Sequence, residues 1–157
     1  RTATDGCDFN LDNMTFGKIT GINSFMQSSK IKSLSMDNWT LPASNTCQMK
    51  SVFYNTTADT AGSIALDLSG WSNTNNITDM TNFMRANSTT NSPFSSLNTT
   101  GWNTSGVTKL DYAFLRAAFL TEIVGLSGWK GDSVTSMTST FHNTHKLNFG
   151  KLFCRLW

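Results

Sequence analysis

The chain has 157 residues, a net charge of +2 and only 14% charged side chains. That length fits one domain, the weak charge excludes the concentrated basic face of a nucleic-acid binder, and no apolar run approaches the roughly 18 residues that would insert into a membrane. With 11 Phe and 5 Trp the chain is not disordered, while 23 Thr, 19 Ser and 16 Asn beside a single Glu exclude a helical bundle and fit a polar extracellular solenoid or β-rich protein.

In chain order, the first predicted element holds Phe9, Leu11 and Met14. The pattern apolar-x-apolar-x-x-anchor recurs at Leu34, Met36 and Trp39, then at Leu66, Leu68 and Trp71, and then at Leu97, Thr99 and Trp102. It continues at Val124, Leu126 and Trp129 and ends at Leu147, Phe149 and Leu152. Period two predicts a short strand in each triplet, with the anchor at the turn that follows. Thr99 is the one polar residue at an inward position.

A second block follows each of the first five triplets: Ile19, Ile22 and Met26; Thr46, Met49 and Phe53; Ile77, Met80 and Met84; Val107, Leu110 and Phe114; Val134, Met137 and Phe141. Offsets of 0, +3 and +7 lie on one helical face, so the spacing predicts a helix of about two turns. Anchor-to-anchor separations of 25, 32, 31, 27 and 23 residues suit a strand-plus-helix coil. The expected fold is a right-handed α/β solenoid, leucine-rich-repeat-like, of about five and a half coils. One domain spans 1–157, with units near 9–33, 34–65, 66–96, 97–123, 124–146 and a partial 147–157. The expected core contains Trp39, Trp71, Trp102, Trp129, Leu68, Leu126, Met80, Leu110 and Met137, with each indole N–H bonded to backbone of the next coil.

These residues resemble a known family. WNTSGVTKLDYAF (102–114) and WSNTNNITDMTNFM (71–84) are similar to the W-D-T-S-x-V-T-D-M-S-x-M-F signature of BspA-type leucine-rich-repeat surface proteins. LDLSGW (66–71) and GLSGW (125–129) resemble that family's strand and turn, and the likeness runs over about 9–153. Met14 in the Trp slot, and the two-residue insertion with Cys47 in TLPASNTCQMKSVF (40–53), depart from it. The resemblance implies a non-catalytic protein at the cell surface, acting in adhesion or recognition of a protein or cell-surface ligand, with no shared catalytic residue or cofactor.

The two longest linkers contain NTTADTAGS (55–63) and RANSTTNSPFSS (85–96). They are consecutive, so they are expected on one edge of neighbouring coils, where a repeat protein can place binding or can simply tolerate slack. His142 and His145 lack a third ligand, so no metal site is expected. No GxSxG, P-loop or HExxH occurs, so neither an enzyme nor a cofactor is expected. The outward strand positions Asn10, Ser35, Asp67, Asn98, Gly125 and Asn148 are not a Thr ladder, which argues against ice binding. Sequons place candidate glycosylation at Asn13, Asn38, Asn55, Asn76, Asn87, Asn98 and Asn103, with Asn55 and Asn87 best placed in the long loops.

Three cysteines allow at most one internal pair. Cys47 sits at an inward position and is expected as a buried free thiol. Cys7 and Cys154 lie about five layers apart, each layer roughly 5 Å thick, too far for an internal bond. They are candidates for a disulfide between molecules stacked head to tail. The chain starts at Arg1, as expected of a fragment or a form whose leader has been removed. Its apolar terminus KLNFGKLFCRLW (146–157) carries no polar cap. Two functional classes follow: an extracellular or cell-surface adhesion or recognition module, and a structural subunit of a filament or appendage built from copies of itself stacked end to end.

Overall fold

Phe9 stands opposite Leu34 in one parallel ladder, and Leu66, Leu97 and Ile123 stand in line in another. The computed structural model describes residues 5–43 and 46–148. Its strands are β1 (Cys7–Asn10), β2 (Lys30–Ser35), β3 (Cys47–Gln48), β4 (Thr57–Ala58), β5 (Ile64–Asp67), β6 (Ile77–Asp79), β7 (Phe94–Asn98) and β8 (Glu122–Val124). They form three sheets in the orders β1-β2-β4, β3-β6 and β5-β7-β8, all paired in parallel. Single parallel bridges link Thr15 to Thr40 and Thr40 to Ser72, and others run from Asp79 through Lys109 to Ser136. The result is a parallel β-solenoid of about four turns, not the five and a half coils expected, in which neighbouring coils are joined by backbone hydrogen bonds.

The second block is not a helix. Among the described residues no α-helix occurs, and the only helical segments are 3₁₀ turns at Thr74–Asn76 and Leu126–Gly128. Backbone bonding explains the difference. In the second block every other N–H leaves its own coil: Met49, Ser51, Phe53 and Asn55 donate to the carbonyls of Asp79, Thr81, Phe83 and Arg85. Met80, Asn82, Met84 and Ala86 repeat this onto Lys109, Asp111, Ala113 and Leu115. The N–H groups of Tyr54 and Thr56 instead close three-residue turns on Ser51 and Phe53. An α-helix keeps all these donors inside itself. Residues with positive φ, such as Ser24 and Ser28, Ser51 and Asn55, or Ser139 and Asn143, recur at four-residue spacing and forbid a right-handed helix. Successive tight turns bury side chains at nearly the helical period, which is why the apolar spacing imitates a helix.

The anchors form a continuous column. Trp39 and Trp71 stack at 4.8 Å between ring centroids, Trp71 and Trp102 at 5.6 Å, and Trp102 and Trp129 at 6.3 Å. Each indole N–H reaches the preceding coil, not the next one: Trp39 donates to the Leu11 carbonyl, Trp71 to Met36 and Trp102 to Leu68. Trp129 donates to the Thr99 hydroxyl. A second aromatic file, Phe53, Phe83, Phe114 and Phe141, fills the turn side of the core.

Four inward assignments need correction, the first at Thr46, which is exposed beside the buried Cys47. Ile123, not Val124, faces the core: it is buried opposite Leu97, while Val124 is 41% exposed. Gly125, at φ 86°, turns the chain so that Leu126 and Trp129 regain the buried side. Met137 is 40% exposed and Ile19 is 43% exposed, so the outermost turn blocks do not complete the core. Leu68, Leu126 and Met80 are buried as expected, and Leu110 is half-buried against the core. The partial sixth unit is described only to Asn148, whose N–H extends the ladder to the Thr121 carbonyl. Phe149 and Leu152 lie outside the described residues.

Candidate functional site

The two long loops lie against each other on one edge. Gly62 donates its N–H to the Ser92 carbonyl at 2.9 Å, and Ile64 donates to Pro93 at 3.0 Å. The next connection joins the same edge through Phe119, which packs over Gly62 so closely that a Cβ there would lie 2.8 Å from its ring. Lys146 sits 4.4 Å above the Phe119 ring. Loop length therefore identified an edge that the coils build jointly.

At the entry to these loops, three coils contribute a cationic and aromatic cluster. The Arg85 guanidinium lies between two tyrosines, 5.4 Å from the Tyr54 ring centroid and 5.5 Å from that of Tyr112. Its Nη1 donates to Asn82 Oδ1. The Tyr54 hydroxyl donates to Asn87 Oδ1 at 2.8 Å, and Arg116 Nη1 donates to the Asn87 carbonyl at 3.1 Å. Asn87 thus ties both ends of the cluster together. The ion pairs Lys30–Asp59, Lys32–Asp8 and Lys50–Asp79 lie elsewhere, and among the described residues no carboxylate pairs with Arg85 or Arg116. Sequence reasoning passed over these residues. A usable signal existed: Tyr54 follows inward Phe53 as Arg85 follows inward Met84, and the chain's two tyrosines flank that arginine in space.

Other candidates separate. Trp39, Trp71, Trp102 and Trp129 are each at most 8% exposed and offer no face to a ligand. His142 and His145 are exposed, and no cluster of three metal-ligating side chains occurs among the described residues. Asn76 is buried with its amide donating to the Pro42 carbonyl, which withdraws it as a glycan carrier. The Asn38 amide donates to Asn13 Oδ1, while Asn98 and Asn103 accept bonds from the backbone N–H groups of Thr100 and Ser105. Asn55 is half-buried at φ 54°, and Asn87 is exposed within the cluster. A file of threonines does exist, on the second ladder and not the first. Thr78, Thr108 and Thr135 each direct the hydroxyl to the preceding coil, onto the carbonyls of Cys47, Thr78 and Thr108. Those hydroxyls serve the fold.

Cys47 is a fully buried free thiol whose pKa desolvation pushes up to about 11. Cys7 is exposed and unpaired among the described residues. Cys154 lies outside the described residues, so its pairing with Cys7 is not defined by the structure. A cleft of about 600 Å³ runs beside β8, lined by Glu122, Val124, Leu126, Lys146 and Asn148 among others.

Residues 20–150 match the family described as Mycoplasma protein of unknown function, DUF285. The chain belongs to that family. No curated protein and no solved structure matches the chain. The matched span begins just before the Gly21–Gln48 bridge and covers the inter-coil ladders from there on.

Proposed function

We propose that this DUF285 chain is a non-catalytic extracellular or cell-surface recognition module that binds through its loop edge. The observation that carries this reading is the joining of loops 55–63 and 85–96 through the Gly62–Ser92 bond, continued at the start of β5 by the Ile64–Pro93 bond. Two long polar loops on successive coils form one continuous surface, which tolerated slack would not require. The resemblance of the repeats to BspA-type surface proteins supports the same class, and the Thr-, Ser- and Asn-rich composition suits an extracellular setting. The interior is filled by the Trp and Phe files, so ligand contact falls to the outside.

The test is binding of the labelled chain to a panel of intact bacterial and animal cells. Saturable binding that is lost when residues 87–91 are replaced by a Gly-Ser linker, with the unfolding midpoint retained, supports the reading. Equal binding by parent and replacement overturns it.

A second reading, end-to-end assembly with copies of itself, is favoured by one observation. Among the described residues the exposed large apolar side chains are Ile19 and Phe25 in the first coil and Val124 and Met137 in the last. Sedimentation velocity showing only monomers at high concentration would rule this out.

A further inference from the structure

We infer that the Tyr54–Arg85–Tyr112–Arg116 cluster is a binding site for the oxyanion of an acidic sugar, a carboxylate or sulfate carried on a sugar ring. The inference rests on the loop-edge reading and names the chemistry that edge would recognise.

Charge is the first argument. Arg85 and Arg116 lie on adjacent coils, linked through the backbone bond from Ala86 to Leu115 and through Arg116 to Asn87. His142 follows on the next coil, bonded through its carbonyl to the Arg116 N–H. Two guanidiniums on adjacent coils with no carboxylate partner among the described residues leave their charge free to meet an anion. Guanidinium is the side chain best shaped to meet an oxyanion with paired N–H donors.

Backbone strain is the second and independent argument. Among the described residues twelve non-glycine residues have positive φ. Six are Asn and four are Ser, residues short enough or polar enough to tolerate that region. The two exceptions are Tyr112 at φ 57° and Arg116 at φ 60°. Both belong to this cluster. Their equivalents one coil on, Ser139 and Asn143, show what the rung takes when only the fold is served. A bulky side chain there is strained, and such strain concentrates where a side chain has a task. Arg85 adds to this: its buried Nε has no acceptor, so the charge is held between the tyrosines despite an unmet donor.

The rim decides between a sugar and a peptide. The exposed or half-exposed residues that run on from the cluster are Asn87, Ser88, Thr89, Thr90 and Asn91, whereas Ala86, Leu115, Ala117 and Ala118 are buried. Amides and hydroxyls match the hydroxyls of a sugar, and no aliphatic pocket is present among these residues to anchor a peptide side chain.

The experiment follows the arginine Nε–Hε signals in ¹H–¹⁵N spectra of the intact chain during titration at constant ionic strength. The probes are N-acetylneuraminic acid, glucosamine 6-sulfate, inorganic sulfate and a tetraglutamate peptide. The expected result is saturable shifts of the Arg85 and Arg116 signals with one of the two acidic sugars, at least tenfold tighter than with inorganic sulfate. Which sugar responds tells carboxylate from sulfate. Arg116→Gln should weaken that response at least tenfold while the unfolding midpoint is held, and Arg116→Lys should restore part of it. Absence of saturable shifts with both sugars, tighter binding of tetraglutamate, or an unchanged response in Arg116→Gln overturns the proposal. Because cell binding is measured separately, loss of the sugar response with cell binding intact removes this site and leaves the loop-edge reading standing.

Discussion

The indole N–H of Trp129 donates to the hydroxyl of Thr99 at 3.0 Å, across 30 residues of chain. Thr99 is fully buried, and its hydroxyl in turn donates to the Val124 carbonyl at 3.0 Å. The three preceding tryptophans use a backbone carbonyl from the equivalent slot, that of Leu11, Met36 or Leu68. A polar residue at an inward position is thereby converted into the acceptor for the last anchor. Thr99→Val should destabilise the chain by about 1–3 kcal/mol, because it leaves a buried indole donor unmet. In a double-mutant cycle with Trp129→Phe, measured by urea unfolding, the pair should show coupling of about 0.5–3 kcal/mol. Additive costs would show that the bond contributes nothing.

Gly125 marks the place where the register shifts by one residue between β8 and the last anchor. At φ 86° with a Cβ position only 2.6 Å from the Thr100 nitrogen, it has no room for a side chain. Gly125→Ala should cost roughly 1–3 kcal/mol. Gly128→Ala, where nothing lies within 4 Å, should stay within about 0.5 kcal/mol of the parent. Equal thermal midpoints for the two variants would refute the assignment.

Acid should unfold the solenoid through its surface carboxylates. Hydrogen bonds from the Ser35 hydroxyl and then the Asp37 N–H lower the Asp12 pKa. Lys30 and then the Gly6 N–H lower that of Asp59, and the Ser136 hydroxyl and then the Thr138 N–H lower that of Asp111. A group with a depressed folded-state pKa contributes stability above its unfolded value near 3.8, and loses it as pH falls through the lower folded value. The urea midpoint should therefore hold from pH 7 to 5 with respect to these groups and fall below pH 4. Asp12→Asn, Asp59→Asn and Asp111→Asn combined should flatten that fall. An unchanged slope in the triple variant would count against the linkage.

The thiols should react on separate timescales. Cys47 is fully buried and its thiol is pushed up to about 11, so little thiolate forms at pH 8 and access is closed. Cys7 is exposed. In a Cys154→Ser background, an aromatic disulfide reagent should consume one thiol at once and the second only in denaturant. Two fast equivalents in the folded protein would place Cys47 at the surface.

Loop length, inward positions and tryptophan anchors were legible in the sequence because burial is a property of single side chains and repeats with the coil. Leu66, Leu68 and Trp71 are apolar for the same reason in every environment the chain could have offered them, and Gly62 and Ser92 meet because consecutive long linkers leave consecutive coils on one edge. Where a backbone N–H goes is a different kind of fact. Met49 could donate within its own turn or to Asp79 thirty residues on, and only the presence of the neighbouring coil, with positive φ at Ser51 and Asn55, makes the second choice the one that satisfies every donor. Apolar spacing reports the face and not the bond, so it predicted a helix where the tertiary structure laid down a ladder of turns. The one-residue slip at Ile123 and the meeting of Tyr54, Arg85 and Tyr112 depend likewise on the register of three coils, which is fixed by inter-coil hydrogen bonds and by Gly125.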